Sequence, residues 1–229
     1  MKHDSSSSGC ASTEITSNRV PLCGITDRMS LDAVILDLGN VFAFHDNTKL
    51  FAEMARAFNT TPDAMKQRLD GGLWDRVNRG ELPGDSLRKE LIERLGVEIS
   101  PANWFDVWNC HFTINEEMAT FVQFLVGQVK LVLLSNTHDQ HIAYLRPKLP
   151  VLEQFDALVF SYDIGAVKPE KVAYEKALAA AGTSPWKTVY FDDVQKYAIG
   201  ATQVGMHGRV FTDVAHFIED LGKLGFKAG

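Results

Sequence analysis

The sequence predicts an α/β protein with a parallel sheet and a small helical domain inserted after the first strand. Apolar runs typical of buried strands alternate with helical patterns along the second half of the 229 residues. About ninety residues separate the first two of these runs, far more than a single βα connection needs. That interval carries helical rather than strand patterns, so we expect a separate helical unit there.

Five short runs have the pattern of strands, and their alternation with helices favours a parallel sheet covered on both faces. They are Ala33–Leu36, Val129–Leu134, Ala157–Phe160, Thr188–Phe191 and Arg209–Phe211. Helical patterns lie between the later runs, and Val172–Ala181 precedes Gly182, a residue typical of helix C-terminal ends. Strands joined by such helices pair in parallel through right-handed crossovers.

The inserted unit begins with Thr48–Phe58, whose apolar residues recur at helical spacing. We place this helical domain at 44–117 and assign 31–43 and 118–229 to the α/β core. Its tryptophans, Trp74, Trp104 and Trp108, can fill a small helical core or face a crevice, and we favour the core. Arg76 and Arg79 are candidate contacts for a phosphate or a sugar.

Residues 1–30 differ from the rest of the chain because a serine run and other polar residues dominate them. We expect a disordered leader, without an apolar stretch long enough for a signal peptide or a membrane helix. The three cysteines, Cys10, Cys23 and Cys110, lack metal-ligand spacing, which favours reduced thiols in a cytoplasmic protein. A net charge of −6 favours neither a nucleic-acid nor a membrane partner. The sequence does not indicate the oligomeric state.

Polar residues follow four of the predicted strands. Asp37 follows the first strand, Ser135 the second and Asp192–Asp193 the fourth, while Lys168 follows the third after a short loop. The carboxyl ends of parallel strands meet at one edge of a sheet, so these side chains can converge on one crevice.

Each of these groups has a chemical use in such a crevice. An aspartate such as Asp37 can attack an electrophile and form a covalent intermediate. The hydroxyl of Ser135 and the N–H groups of the next turn, at Asn136, can bind phosphoryl oxygens. Lys168 supplies positive charge, and the pair Asp192–Asp193 offers oxygen ligands for Mg²⁺. The combination predicts phosphoryl transfer.

The same residues resemble the haloacid dehalogenase-like (HAD) hydrolase superfamily between Leu31 and Phe211. Four motifs of that superfamily, and a cap segment that resembles those of sugar-phosphate phosphatases such as the glucose-1-phosphate type, can be matched. They are Asp37-Leu38-Gly39-Asn40-Val41, Leu133-Leu134-Ser135-Asn136-Thr137, Lys168-Pro169-Glu170, Tyr190-Phe191-Asp192-Asp193 with Gly200-Ala201 and Gly205, and Arg79-Gly80-Glu81.

This resemblance implies a Rossmann-like core with a helical cap, Mg²⁺ as cofactor and an aspartyl-phosphate intermediate. Asp37 would be the nucleophile, and Ser135, Asn136 and Lys168 would bind the phosphoryl group. The metal ligands would be Asp37, Asp192 and Asp193, with the backbone carbonyl of Gly39.

Two positions depart from the superfamily pattern. Gly39 stands where a carboxylate, two residues after the nucleophile, usually serves as the general acid–base, and its loss typically costs about 10²–10⁴-fold in rate. His45 and Asp46 are candidate substitutes. Tyr197 stands where an Asp or Asn commonly supports the metal ligands, which predicts weaker metal binding.

The expected function is therefore a Mg²⁺-dependent phosphatase acting on a small phosphomonoester such as a sugar phosphate. Two alternatives stay open from the residues. A metal-independent hydrolase of carbon–halogen bonds would use the same aspartate, although the pair Asp192–Asp193 argues against it. A non-catalytic protein that binds a phosphorylated ligand would account for Gly39 and Tyr197.

Overall fold

A five-stranded parallel sheet forms the centre of the protein in a computed structural model that describes residue 1 and residues 31–226. Its strands are β1 (Ala33–Leu36), β4 (Lys130–Ser135), β5 (Ala157–Phe160), β6 (Thr188–Asp192) and β7 (His207–Val210), in the spatial order β5-β4-β1-β6-β7. All neighbouring pairs are parallel. The predicted fold class is confirmed. The predicted leader, with Cys10 and Cys23, lies outside the described residues.

Helices cover both faces of this sheet. They are α6 (Glu116–Phe121), α7 (Asp139–Leu145), α8 (Ser161–Ile164), α9 (Lys171–Ala181), α10 (Gln195–Gln203) and α11 (Val214–Lys223). Successive residues of β1 point to opposite faces: Val34 packs in the cluster that contains α6, α7 and α11, and Ile35 in the cluster with α9 and α10. Burial on both faces explains why this strand is apolar throughout.

The chain leaves and re-enters the sheet region through two short antiparallel strands, β2 (Ala43–His45) and β3 (Phe112–Ile114). Five helices lie between them, which we call the cap helices. They are α1 (Asn47–Ala57), α2 (Pro62–Arg68), α3 (Trp74–Asn78), α4 (Ser86–Leu95) and α5 (Pro101–Asn109). The domain bounds that we gave, 44–117 for the inserted unit, stay a prediction.

The cap helices enclose an apolar cluster of their own. Trp104 and Trp108 are fully buried in it and stack with ring centroids 5.2 Å apart. Such an aromatic pair stabilises the cap through the apolar area that it buries and through about 0.5–1.5 kcal/mol of ring–ring attraction. The expectation that the tryptophans fill the helical core holds for these two, whereas Trp74 is only partly buried.

Arg79 and Gly80 fix the cap helices against the core. The guanidinium of Arg79 donates to both carboxylate oxygens of Glu170, at 2.5 and 3.2 Å, in the loop that precedes α9. Gly80 has φ of +75°, and a Cβ there would lie 2.3 Å from the carbonyl oxygen of Tyr162. Only glycine allows that approach. Among the described residues, no helix has the length and apolar character needed to cross a bilayer.

Candidate active site

The C-terminal edge of the sheet brings the predicted residues together. Asp37 directly follows β1, Ser135 ends β4, and Asp192 ends β6 with Asp193 next to it. A cavity of about 350 Å³ opens at this edge. Five of the residues that we predicted for the site line it: Asp37, Gly39, Ser135, Asn136 and Asp193.

Lys168 and Asp192 lie beneath the cavity lining and are almost fully buried. The ammonium Nζ of Lys168 is 2.7 Å from Asp37 Oδ1 and 2.6 Å from Asp192 Oδ2. One lysine thus pairs with two carboxylates, and all three residues are largely buried. Such pairs are costly to break, because the remaining charge stays buried without a partner. Together with Ser135 and Asp193, these three residues form what we call the floor of the cavity.

Burial and ion pairing shift the pKa values of Asp37 and Lys168. Burial raises the pKa of Asp37 to about 7 in the metal-free protein, although Lys168 acts in the opposite direction and Asp192 adds to the rise. Burial alone would lower the pKa of Lys168, but the two carboxylates raise it, so this ammonium stays charged. Asp37 is therefore held beside a permanent positive charge.

Asp192 has hydrogen bonds on both of its carboxylate oxygens. Oδ1 accepts from the backbone N–H of Val194 at 2.8 Å. Oδ2 accepts from Lys168 and from the hydroxyl of Tyr190, two residues earlier on the same face of β6. Sequence reasoning missed Tyr190 as part of the site. The alternation of a strand, which puts residues 190 and 192 on one face, is the signal that identifies it.

Three carboxylates offer oxygens suitable for a hard divalent cation. Asp37, Asp192 and Asp193 each contribute one atom to a group whose members lie within 4.8 Å of one another. Asp193 is only partly buried, and Asn40 donates to its Oδ2 at 2.8 Å, which fixes its orientation. Oxygen donors in such a cluster suit Mg²⁺. Asn40 has φ of +51°, a left-handed conformation that asparagine tolerates better than most residues.

Asn136 holds the lysine loop in place rather than pointing its amide at a ligand. Its Oδ1 accepts from the backbone N–H of Lys168 at 2.8 Å, and its Nδ2 donates to the carbonyl of Lys168 at 3.1 Å. The turn after β4 is fixed further by Ser161, whose hydroxyl accepts from the N–H of Thr137 at 3.0 Å. Ser135 itself is buried and lines the cavity.

Tyr197, at the second unusual position, packs against the buried lysine. The ammonium of Lys168 lies 5.1 Å from the centroid of the Tyr197 ring and 5.7 Å from that of Tyr190. Aromatic rings at this distance attract a cation. Tyr197 therefore supports the lysine, where a carboxylate would have added a further negative charge.

The opposite side of the cavity is formed by residues from the cap helices, β2, β3 and α7, which we call the upper wall. These residues are His45, Asn47, Trp74, Asn78, His111, Phe112 and His141. Burial lowers the pKa of His111 to about 4 and lowers that of His141 well below its usual range. Both rings are neutral at neutral pH, and among the described residues no lysine or arginine lines the cavity.

Arg76 and Arg79 do not contact the cavity, which corrects the expectation that they bind a ligand. Arg76 pairs with Glu90 at 2.7 Å, and Arg79 is engaged by Asp75 and Glu170. The sequence pattern could not distinguish a ligand-binding arginine from one that joins two parts of the fold.

This fold and site place the chain in a family of hydrolases. The haloacid dehalogenase-like hydrolase family matches residues 31–205. The chain belongs to this family.

Individual relatives are more distant. A D-ribitol-5-phosphate phosphatase of Bacteroides thetaiotaomicron is 24% identical over 173 residues, which cover 70% of this chain and 82% of the relative. A HAD family enzyme of the same organism, solved in complex with magnesium and inorganic phosphate, superimposes with a TM-score of 0.73 at 22% identity over 82% of this chain and 99% of that one. A HAD-like family hydrolase of Porphyromonas gingivalis gives a TM-score of 0.76 at 20% identity over 86% and 98% of the two chains. These structures support the fold.

Proposed function

We propose that this protein is a Mg²⁺-dependent phosphatase of small phosphomonoesters, with Asp37 as the nucleophile. The observation that carries the proposal is the floor of the cavity, where a carboxylate at a strand tip lies 2.7 Å from a buried ammonium and within 4.8 Å of two further carboxylates. Attack of a carboxylate on a phosphate dianion requires positive charge, which the ammonium of Lys168 supplies in part and a divalent cation held by the carboxylates would complete. The named activity and the magnesium complex of the relatives support it.

The metal ligands that we assign are Asp37, Asp193 and the backbone carbonyl of Gly39. Asp192 belongs to the same acidic cluster, but both of its oxygens already accept hydrogen bonds within the protein. Its role is to hold Lys168 beside the nucleophile. A bound Mg²⁺ would neutralise charge on the phosphoryl group and keep Asp37 ionised.

The phosphoryl oxygens are bound by three groups at the sheet edge. Ser135 donates from its hydroxyl, the turn at Asn136 donates from its backbone, and Lys168 supplies charge from below. Ser135 and Lys168 are buried, and two hydrogen bonds join Asn136 to the backbone of Lys168, so little reorganisation is needed when a phosphate arrives.

The leaving group that fits the upper wall is small, uncharged and polar. The cavity of about 350 Å³ suits a molecule of a few carbon atoms. Histidine rings and asparagine amides can exchange hydrogen bonds with hydroxyl groups, whereas a second anionic group would find no lysine or arginine among the described lining residues. A polyol or sugar monophosphate fits this chemistry, and the relative that is named for ribitol phosphate supports it. A cytoplasmic location stays a prediction.

The test is phosphate release from p-nitrophenyl phosphate and from a panel of ribitol 5-phosphate, glucose 1-phosphate and 3-phosphoglycerate, with Mg²⁺ and with EDTA. We expect Mg²⁺-dependent turnover, with the two neutral polyol and sugar esters preferred over 3-phosphoglycerate. Full activity in EDTA would overturn the metal dependence, and chloride release from 2-chloropropionate would favour the dehalogenase alternative. Tight binding of these phosphates without turnover would favour the non-catalytic alternative.

A further inference from the structure

We propose that His45 is the general acid–base of this site and replaces the carboxylate that is absent at Gly39. This inference rests on the proposed phosphatase function. It concerns one ring at the mouth of the cavity, on β2, between the cap helices and the sheet.

The ring of His45 lies beside the space into which a side chain at position 39 would extend. A Cβ built on Gly39 would be 3.5 Å from His45 Cε1 and 3.6 Å from His45 Nδ1. The same point is 3.7 Å from Asp37 Oδ2. The imidazole and Asp37 therefore face one common space, and we place the oxygen of the leaving group there during attack by Asp37.

The backbone of His45 is fixed from two directions. In the β2–β3 pair it is opposite Phe112. Its N–H also donates to Asn40 Oδ1 at 3.3 Å, while the amide nitrogen of Asn40 donates to Asp193 at 2.8 Å. One asparagine thus connects the strand that carries His45 with the acidic cluster. The His45 residue is exposed, so the ring can exchange protons with solvent between turnovers.

Two other residues, Asp46 and His111, are less suited to act as the general acid–base. The carboxylate of Asp46 accepts from the N–H groups of Thr48 at 2.9 Å and Lys49 at 3.2 Å, as the N-cap of α1, and it does not line the cavity. His111 does line the cavity, but its buried ring stays neutral and cannot donate a second proton at neutral pH.

His45 donates a proton in the first chemical step and accepts one in the second. In the first, an oxygen of Asp37 bonds to phosphorus, the bond from phosphorus to the leaving oxygen breaks, and imidazolium His45 gives its proton to that oxygen. In the second, neutral His45 takes a proton from water as the water oxygen bonds to phosphorus. The bond to Asp37 then breaks, which releases inorganic phosphate and restores the carboxylate and the imidazolium.

The experiment compares two leaving groups in the His45→Gln variant. The ratio kcat/KM reports the first step, in which p-nitrophenolate leaves without a proton but the alkoxide of ribitol 5-phosphate does not. We expect kcat/KM to fall about 10²–10⁴-fold on ribitol 5-phosphate and less than about 10-fold on p-nitrophenyl phosphate. A burst of one p-nitrophenolate per enzyme should precede a slow steady state, because the second step also loses its base.

Two further variants complete the design. Asp46→Asn keeps a helix cap and should match the wild type on both substrates. In His45→Ala/Gly39→Asp a carboxylate enters the space that the imidazole leaves, and activity on ribitol 5-phosphate should rise above that of His45→Ala. Equal losses on the two substrates in His45→Gln, or an unchanged rate on ribitol 5-phosphate, would overturn the proposal. Wild-type protein that hydrolyses neither ester with Mg²⁺ would instead refute the proposed function.

Discussion

The floor of the cavity and its upper wall differ in charge, burial and origin. The floor comes from strand ends of the sheet and from the loop before α9, and Asp37, Lys168 and Asp192 are buried there and paired within 2.7 Å. The upper wall consists of rings and amides, some of them exposed, and no lysine or arginine is among its described residues. A buried charged network suits a chemical step common to all phosphate esters, while a wall of polar rings and amides distinguishes their alcohols. Changes in the floor should thus affect every substrate equally, and changes in the wall should not.

The largest effect is expected for Asp37→Asn. The amide removes the nucleophile, so kcat should fall at least about 10⁴-fold on aryl and polyol phosphates alike. Steady-state assays on both substrates measure this, with circular dichroism to verify folding. Asp106→Asn, on the exposed side of α5, is the matched control and should retain full activity. If the fold-loss of kcat differed between the two substrates, the claim that the floor acts equally on all substrates would be contradicted.

Lys168→Met tests the energetic cost of an incomplete floor. Two buried carboxylates would face each other without a counter-charge, which should cost about 3–5 kcal/mol of unfolding free energy. Urea unfolding measures this change. Lys171→Met, which breaks the exposed pair with Glu175, should cost at most about 0.5 kcal/mol. Adding Asp37→Asn to Lys168→Met should recover part of the loss, and an additive double variant would contradict the coupling.

The raised pKa of Asp37 predicts how stability depends on pH in the metal-free protein. With a folded pKa of about 7 against an ordinary value of 3.8, the folded state binds the proton more tightly than the unfolded state. The stabilisation is therefore full below the ordinary value and is lost as pH rises to about 7, by up to about 1.4 kcal/mol per pH unit. Urea unfolding in EDTA should show that the unfolding free energy of Asp37→Asn rises relative to that of the wild type between pH 3.8 and about 7. Above that range the difference should stay constant. A pH-independent difference would refute the raised pKa.

The smallest effect is expected for Arg79→Ala, which releases α3 from the core. Because Glu170 is 41% exposed at its side chain, the loss of stability should be at most about 1 kcal/mol. Trp74 and Asn78 lie on that helix and line the cavity, so KM should change by different factors for aryl and polyol phosphates. Arg146→Ala, which breaks the exposed pair with Glu153, is the control and should leave both KM values unchanged. Equal changes in KM would contradict a selective wall.

The sequence predicted the sheet well because burial on both faces leaves a plain apolar signature. The bounds of Ala33–Leu36 and Ala157–Phe160 agree with the structure, and the other predicted strands are shifted by one or two residues. The last strand begins earlier, at His207, and includes Gly208, which packs so tightly that a Cβ would lie 1.9 Å from the carbonyl oxygen of Ala198. Neither residue has strand propensity, so pattern reasoning passes over them.

The site was predictable only where chain position determines geometry. Residues at strand ends, such as Asp37 and Ser135, meet at one sheet edge whatever lies between them. His111 and His141 line the cavity because β3 and α7 meet there, and their spacing along the chain carries no trace of that contact. The sequence also does not show that Asp192 and Asn136 are engaged in internal hydrogen bonds, because these depend on which atoms lie within hydrogen-bond distance in the folded protein.

The pairing of β2 with β3 determines where the cap helices can be exchanged in a redesigned protein. Because Ala43 and Ile114 are opposite each other in the β2–β3 pair, the chain leaves and returns at almost one point, and the parallel sheet does not depend on which helices lie between these strands. Exchange of the cap helices for those of a relative would therefore transplant substrate preference and keep the nucleophile. The exchange must start after β2, because a graft that begins one residue too early removes His45 along with the old cap.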